Sequence, residues 1–317
     1  MITEKVQEKQ ATSRTAKDYL IIAAKGFAMG AADVVPGVSG GTMAFILGIY
    51  EELINSIKNL VNPQIFKNLF SLNLKGALAL VSWQFLGALG FGILLAIFSL
   101  AQFLETALTT YPALVWSFFL GLVTASIITV TKRVKQWDSS TITAMVAGTV
   151  MAYYLVGLVP VQTPDAAWFL FLSGFIAICA MILPGISGSF ILVLMGKYQY
   201  ILGAVNDRDF VTLILVAAGA AVGLVTFAQV LSWLFKRYHD LTVALLIGFM
   251  IGSLRKIWPW KETLQTVIDR HGEAIPVVQV NVLPSAWTSE VTLAIVLALI
   301  GFAIVFVLDY FASKAEA

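Results

Sequence analysis

The chain alternates long apolar runs with short polar punctuation, and two of those runs are too long and too broken to be simple membrane helices. Tyr19–Tyr50 covers 32 residues, whereas a perpendicular crossing needs about 20. Pro36 divides it into pieces of 17 and 15 residues, each too short to cross comfortably. The pattern predicts a helical hairpin over 19–50 that enters the membrane and returns. Pro36 supplies the first turn of the second limb, and the following glycines permit the bend. Glu51–Lys75 reads as a polar, amphipathic connector. Three spans follow at about 76–104, 112–130 and 141–159. Residues 167–202 repeat the hairpin about Pro184, and spans at about 210–235, 241–260 and 291–310 complete the pattern. No linker divides this membrane body into separate domains.

The two breaks have the same sequence. Pro36-Gly37-Val38-Ser39-Gly40-Gly41-Thr42 recurs without gaps, 148 positions on, as Pro184-Gly185-Ile186-Ser187-Gly188-Ser189. Gly48 falls on Gly196 and Tyr50 on Tyr198. Leu120-Gly121…Ala125-Ser126 echoes Ile247-Gly248…Gly252-Ser253 at an offset of 127. Irregular backbone at membrane depth survives only where protein or water covers it, so two such breaks in corresponding halves point to a paired binding site. Three crossings separate the hairpins, and three is odd. The expected fold is therefore an all-α polytopic membrane protein built as an inverted repeat, 19–160 and 161–317, each half a re-entrant hairpin plus three transmembrane helices.

Composition supports that class: 59% of the 317 residues are hydrophobic and only 12% are charged. The apolar runs are continuous rather than alternating, which argues against a β-barrel. With the N-terminus inside, fourteen of the twenty Lys and Arg fall on inner segments, and both termini are expected to be cytoplasmic. Residues 1–18 read as a polar cytoplasmic tail rather than a signal peptide. One cysteine, Cys179, gives no disulfide and no thiolate metal site. His239 and His271 lie in separate loops without metal-ligand spacing. Neither a cofactor, a metal nor a nucleic-acid partner is expected.

The chemistry concentrates at the breaks. A half-helix that starts inside the membrane presents backbone N–H groups with no helical partner, which is an anion site. Gly37, Gly40, Gly41, Gly185 and Gly188 allow close approach, and Ser39, Thr42, Ser187 and Ser189 add hydroxyls. The plainer account is close helix packing, with proline only as a kink. Asp33, where the second repeat has Met181, is an ionisable residue at depth. An anionic ligand beside it would favour its neutral form, which makes it the proton-coupling candidate; equally, its carboxylate could satisfy the neighbouring half-helix. Arg255 precedes an interfacial pair, Trp258 and Trp260, and could receive a phosphate from the outer side or snorkel to the surface. Glu51, Glu52 and Lys25 are placed near the cytoplasmic surface.

Gly30-Ala31-Ala32-Asp33-Val34-Val35-Pro36-Gly37-Val38-Ser39-Gly40-Gly41-Thr42 and Pro184-Gly185-Ile186-Ser187-Gly188-Ser189 resemble the signatures of the bacterial polyprenyl-phosphate transporter family. The resemblance covers about residues 19–310. It implies return of undecaprenyl phosphate from the outer to the cytoplasmic leaflet of the inner membrane, for reuse as the lipid carrier of cell-wall precursors. Membrane undecaprenyl-diphosphate phosphatases carry a similar Pro-Gly-x-Ser element followed by an arginine, and Gly40 and Gly188 occupy that arginine's position here. Without it a pyrophosphate leaving group loses its charge clamp. The expected function is thus a transporter and not an enzyme, with the lipid phosphatase and a carrier of small soluble anions as the alternatives.

Overall fold

The computed structural model describes residues 14–35, 38–268 and 274–316. The sequence-derived points that fall on 1–13, Pro36, Gly37, Arg270 and His271 lie outside the described residues. Helix α1 (Ala16–Val34) begins three residues before the expected hairpin, because Thr15 and Asp18 cap it reciprocally: the Asp18 amide donates to the Thr15 hydroxyl and the Thr15 amide to the Asp18 carboxylate. The returning limb is shorter than expected. Helix α2 (Gly40–Ile46) stops after seven residues, since Gly48 adopts a left-handed φ of +72° that ends it, and α3 (Tyr50–Asn59) starts anew.

The connector folds into α4 (Pro63–Phe70) and α5 (Leu74–Ala79). The first expected span does not start at Gly76, because Gly76 belongs to α5, which Asn73 caps by accepting the Gly76 amide and which ends at Ala79, before the span begins at Trp83. The span is instead α6 (Trp83–Thr110), followed by α7 (Pro112–Thr131) and α8 (Ser139–Leu155). The second hairpin is α9 (Ala167–Ile182), α10 (Gly188–Leu194) and α11 (Tyr198–Asn206), again with a left-handed glycine, Gly196 at +64°, closing the seven-residue helix. The chords of α10 and α11 meet at 105°. Then come α12 (Phe210–Arg237), α13 (His239–Ile257) and α14 (Ser289–Glu316).

One segment departs from an all-helical chain. Between α13 and α14, β1 (Lys261–Ile268) and β2 (Ala274–Asn281) pair antiparallel, from Lys261 opposite Asn281 to Ile268 opposite Ala274. The base of this ribbon is tied back to the end of α13. The Trp258 indole donates to the Val282 carbonyl, and the Asn281 amide group donates to the Arg255 carbonyl.

Among the described residues four helices are long and apolar enough to cross a membrane: Trp83–Thr110, Pro112–Thr131, Phe210–Arg237 and Ser289–Tyr310. The protein is a mostly helical, multi-pass membrane protein. Of the other two expected spans, α8 has 17 residues, and α13 has 19 and carries Asp240, Arg255 and Lys256.

Packing is by pairs: α1 lies on α6, α9 on α12, α7 on α14 and α8 on α13. Glycines set these contacts, because a helix without a Cβ lets a neighbouring backbone touch it. A Cβ on Gly26 would lie 2.2 Å from the Leu89 carbonyl oxygen, and one on Gly174 would lie 2.1 Å from that of Val216. Gly92 meets Ala23 at 1.9 Å, and Gly219 meets Phe171 at 1.9 Å. The partners on the hairpin helices are 148 positions apart and those on the following spans 127. Gly121 against Ala298 and Gly248 against Met145 extend the same rule to the other two pairs. The two halves therefore pack alike, contact by contact.

Gly90, one turn-face away on α6, has nothing within 4 Å of an added Cβ. Gly92→Ala should thus lose about 1–3 kcal/mol by forcing α1 and α6 apart, while Gly90→Ala should be neutral or slightly stabilising. Thermal unfolding of the two purified variants beside wild type checks this difference.

Candidate functional site

The tip of the first hairpin is closed on itself. The chain resumes at Val38, and Ser39 caps α2 with an extended backbone. Its hydroxyl accepts the Gly41 amide at 3.1 Å. The Asp33 carboxylate, reaching forward from the last turn of α1, accepts the Gly40 amide at 2.7 Å. Two of the orphan donors that open α2 are thus met by the protein's own side chains. Gly40 is needed for this, because a Cβ there would sit 2.4 Å from an Asp33 carboxylate oxygen.

The same tip is bonded to the second hairpin. Helix α9 ends in carbonyls without helical partners, and the first motif supplies them with donors. The Ser39 hydroxyl donates to the Met181 carbonyl at 3.0 Å, and the Tyr50 phenol donates to that of Ile182 at 3.1 Å. In return the Gly185 amide donates to the Thr42 hydroxyl at 2.8 Å. Gly41 lets the α9 terminus approach, since its Cβ would meet the Ile182 carbonyl at 2.4 Å. Ser39, Gly40, Gly41 and Thr42 are all buried.

The second tip is arranged differently. Met181 replaces Asp33, so no carboxylate reaches the α10 terminus from that position. The Ser187 side chain makes no capping bond; its hydroxyl pairs with that of Ser189 at 2.8 Å. Gly185 holds a φ of +87° and lies against α13, where a Cβ would come 2.7 Å from the Ser253 hydroxyl. Ser189, half-buried, lines a cavity of about 370 Å³ that also contains Arg255, Lys256 and Lys261. A second cavity of about 630 Å³ adjoins it, walled by α7, α8 and α13, and the two share Arg255, Gln279, Val280 and Asn281.

Arg255, in the last turn of α13, donates to the Tyr153 carbonyl at 3.0 Å and lies 4.5 Å from the centroid of that ring. The Lys256 ammonium sits 4.6 Å from the Phe190 ring centroid and that of Lys261 4.7 Å from Trp116. Lys261 also donates to the Lys256 carbonyl. None of the three cations forms an ion pair with a described carboxylate. Lys261 stands on β1, beyond the end of α13; burial pushes its ammonium down to about 7, and the Lys256 charge adds to the effect.

The structure therefore brings Ser189 and Arg255 together and leaves the first motif sealed away from them. Lys256 and Lys261 complete the basic cavity but are not among the site residues read from the sequence. Three cations within seven positions were the available signal; what the sequence does not display is the ribbon that folds Lys261 back over α13. The remaining ionisable candidates are engaged elsewhere. Glu52 pairs with Arg14 at 2.7 Å, and Glu51 lies 3.3 Å from His239. Lys25 donates to the Leu47 carbonyl at the end of α2. The corresponding carbonyl of α10, Met195, accepts from the Thr163 hydroxyl, and the Thr163 carbonyl in turn accepts from the buried Lys197. Among the described residues no group of three or more His, Cys, Asp and Glu could hold a metal ion.

Removing the Thr42 hydroxyl should orphan a buried amide. Thr42→Val is expected to cost about 1–3 kcal/mol, whereas Thr42→Ser should retain most of the stability. Thermal unfolding in detergent, read for both variants, provides the measurement.

Residues 29–275 match the family described as undecaprenyl phosphate translocase-like. A polyprenyl-phosphate transporter of Vibrio cholerae serotype O1 is 43% identical over 303 residues, covering 94% of this chain and 98% of that protein. A polyprenyl-phosphate transporter of Staphylococcus aureus is 30% identical over 254 residues, covering 74% of this chain and 84% of its own length. No solved structure matches the chain. On a match of this extent and a relative aligned almost end to end, the chain belongs to the undecaprenyl phosphate translocase-like family.

Proposed function

We propose that the protein carries a polyprenyl monophosphate, of which undecaprenyl phosphate is the expected form, from the outer to the cytoplasmic leaflet of the inner membrane, so that the lipid carrier can be used again. The observation that carries this reading is the basic cavity. It gathers Arg255, Lys256 and Lys261, none ion-paired with a described residue, and it ends at Ser189 of the second break. A phosphate is the ligand such a cavity suits, and the relatives are named for polyprenyl phosphate. We place the cavity on the outer side, in keeping with the distribution of Lys and Arg along the chain.

The repeat is proposed to be inverted. The odd number of expected spans between the hairpins supports this, and so does the exchange of partners: if α7 takes the place of α13 and α8 that of α14, the pair α7–α14 maps onto α13–α8. The first tip is then the part of the pathway closed in this conformation, and the second is the part that meets the outer cavity. For a phosphate to reach the Gly40 amide, the Asp33 carboxylate has to give up its place there, and taking a proton is the direct way to do so. Asp33 is accordingly the proposed coupling group, with inward proton movement driving retrieval of the lipid. The lipid-phosphatase reading is less well supported. Gly40 and Gly188 carry no charge, and Glu51 and Glu52 are held by His239 and Arg14.

Topology and transport are tested separately. In a Cys179→Ala background, Gln162→Cys should react with an impermeant thiol reagent added outside cells, and Trp137→Cys should not; equal outside labelling would contradict the inverted arrangement. In proteoliposomes, wild type should move a polyprenyl monophosphate between leaflets faster when a pH gradient is imposed. Arg255→Gln should slow uptake roughly tenfold or more, the worth of one charged contact. Asp33→Asn should still bind the lipid but ignore the gradient. Release of phosphate from a polyprenyl pyrophosphate by the purified protein would favour the enzyme instead.

A further inference from the structure

Resting on that reading of the basic cavity, we propose that Lys256 and Lys261 form a clamp selective for a phosphate dianion, and that filling it places a proton from the outer solution on Lys261. The geometry is specific. Both lysines line one cavity, each ammonium lies against an aromatic face, and Lys261 is anchored on the carbonyl of Lys256 itself. Aromatic faces hold a cation weakly and leave its charge uncompensated. The missing partner is an anion.

The walls supply none. The α8–α9 connection contributes only Val156–Pro160, and α10 contributes Ser189, Phe190 and Val193. Tyr198 from α11 and Arg255 from α13 are the other titratable or charged groups facing the pair, and β2 offers uncharged side chains. Trp116 reaches Lys261 from α7. Glu262, next along β1, does not line the cavity. Arg255 spends one N–H on the neutral Tyr153 carbonyl and keeps its charge, so it adds a third cation to the two lysines. A phosphomonoester dianion answers more of this charge than a monoanion does.

The proton follows from the same geometry. Lys261 is held near 7 in the empty cavity, so at pH 8 only about a tenth of it is charged. A dianion beside it favours the charged form and restores the proton. The sign is fixed: the bound state holds more protons than the free one, so affinity falls as pH rises above about 7, by up to roughly tenfold per unit. The ligand adds nothing to this, because a phosphomonoester has its second pKa near ~6 and is already dianionic there.

Calorimetry of the purified protein at pH 8, in two buffers of different ionisation heat, counts the protons taken up per ligand. Farnesyl monophosphate and inorganic phosphate are the probes. Wild type should take up nearly one proton with farnesyl monophosphate, and its affinity should drop between pH 7.5 and ~9. Lys261→Met should bind about tenfold or more weakly with no uptake. Lys261→Arg, always charged, should bind several-fold more tightly than wild type at pH 7.5, take up no proton and show no pH dependence. Binding of farnesyl monophosphate without proton uptake, or unchanged affinity in Lys261→Met, would overturn the clamp and leave the transport reading standing. Failure of wild type to bind farnesyl monophosphate at all would overturn both. Equal affinity for inorganic phosphate, with the same uptake, would keep the clamp and replace the lipid by a soluble anion.

Discussion

A helix that ends inside a membrane leaves peptide groups with no water to turn to, and each one left alone costs several kcal/mol. This protein breaks apolar helices in both halves, after α1 and after α9, and it solves the resulting shortage of partners mutually. Carbonyls at the terminus of α9 accept from Ser39 and Tyr50, and the amide of Gly185 donates to Thr42. The breaks that could admit a ligand are thereby also a polar contact between the halves. The short helices α2 and α10 depend on the same economy at their other ends, where Lys25 and Thr163 supply donors to the final carbonyls.

That constraint explains which residues can change role and which cannot. The glycines between helix pairs are fixed by shape alone, because backbone lies within 1.8–2.2 Å of where a side chain would begin at Gly26, Gly92, Gly121 and Gly219. Gly40 is different. Its missing side chain admits a carboxylate oxygen, and would equally admit another oxygen of similar size. One residue type thus serves packing in the outer shell of the bundle and access at its centre.

Much of this was legible beforehand because the relevant signals are local or repeated. The two Pro-Gly breaks, the offsets of 148 and 127 and the left-handed glycines Gly48 and Gly196 can be read from spacing, and the structure shows the same offsets in its helix contacts. Boundaries set by a single hydrogen bond were not legible. Asn73 opens α5 through one amide, and α5 stops at Ala79 before α6 starts at Trp83, although hydropathy runs straight across that break. The ribbon Lys261–Asn281 was hidden as well, since its polar and apolar residues alternate irregularly through register shifts. Without it Lys256 and Lys261 look like surface charges. The partnership of Ser39, Thr42 and Tyr50 with α9 joins positions more than 130 apart, and no pattern within one repeat announces it.

The halves agree in glycine placement along their helix pairs, and they differ electrically at the breaks: Asp33 on one side, Met181 on the other. Two strictly equivalent halves that exchanged roles would give two conformations related by a two-fold rotation and equal in energy, resting half in each. A single carboxylate on a single amide breaks that degeneracy. Each ~1.4 kcal/mol of imbalance would shift such a resting ratio about tenfold, so a single buried carboxylate in one half would be enough to set a preferred resting side.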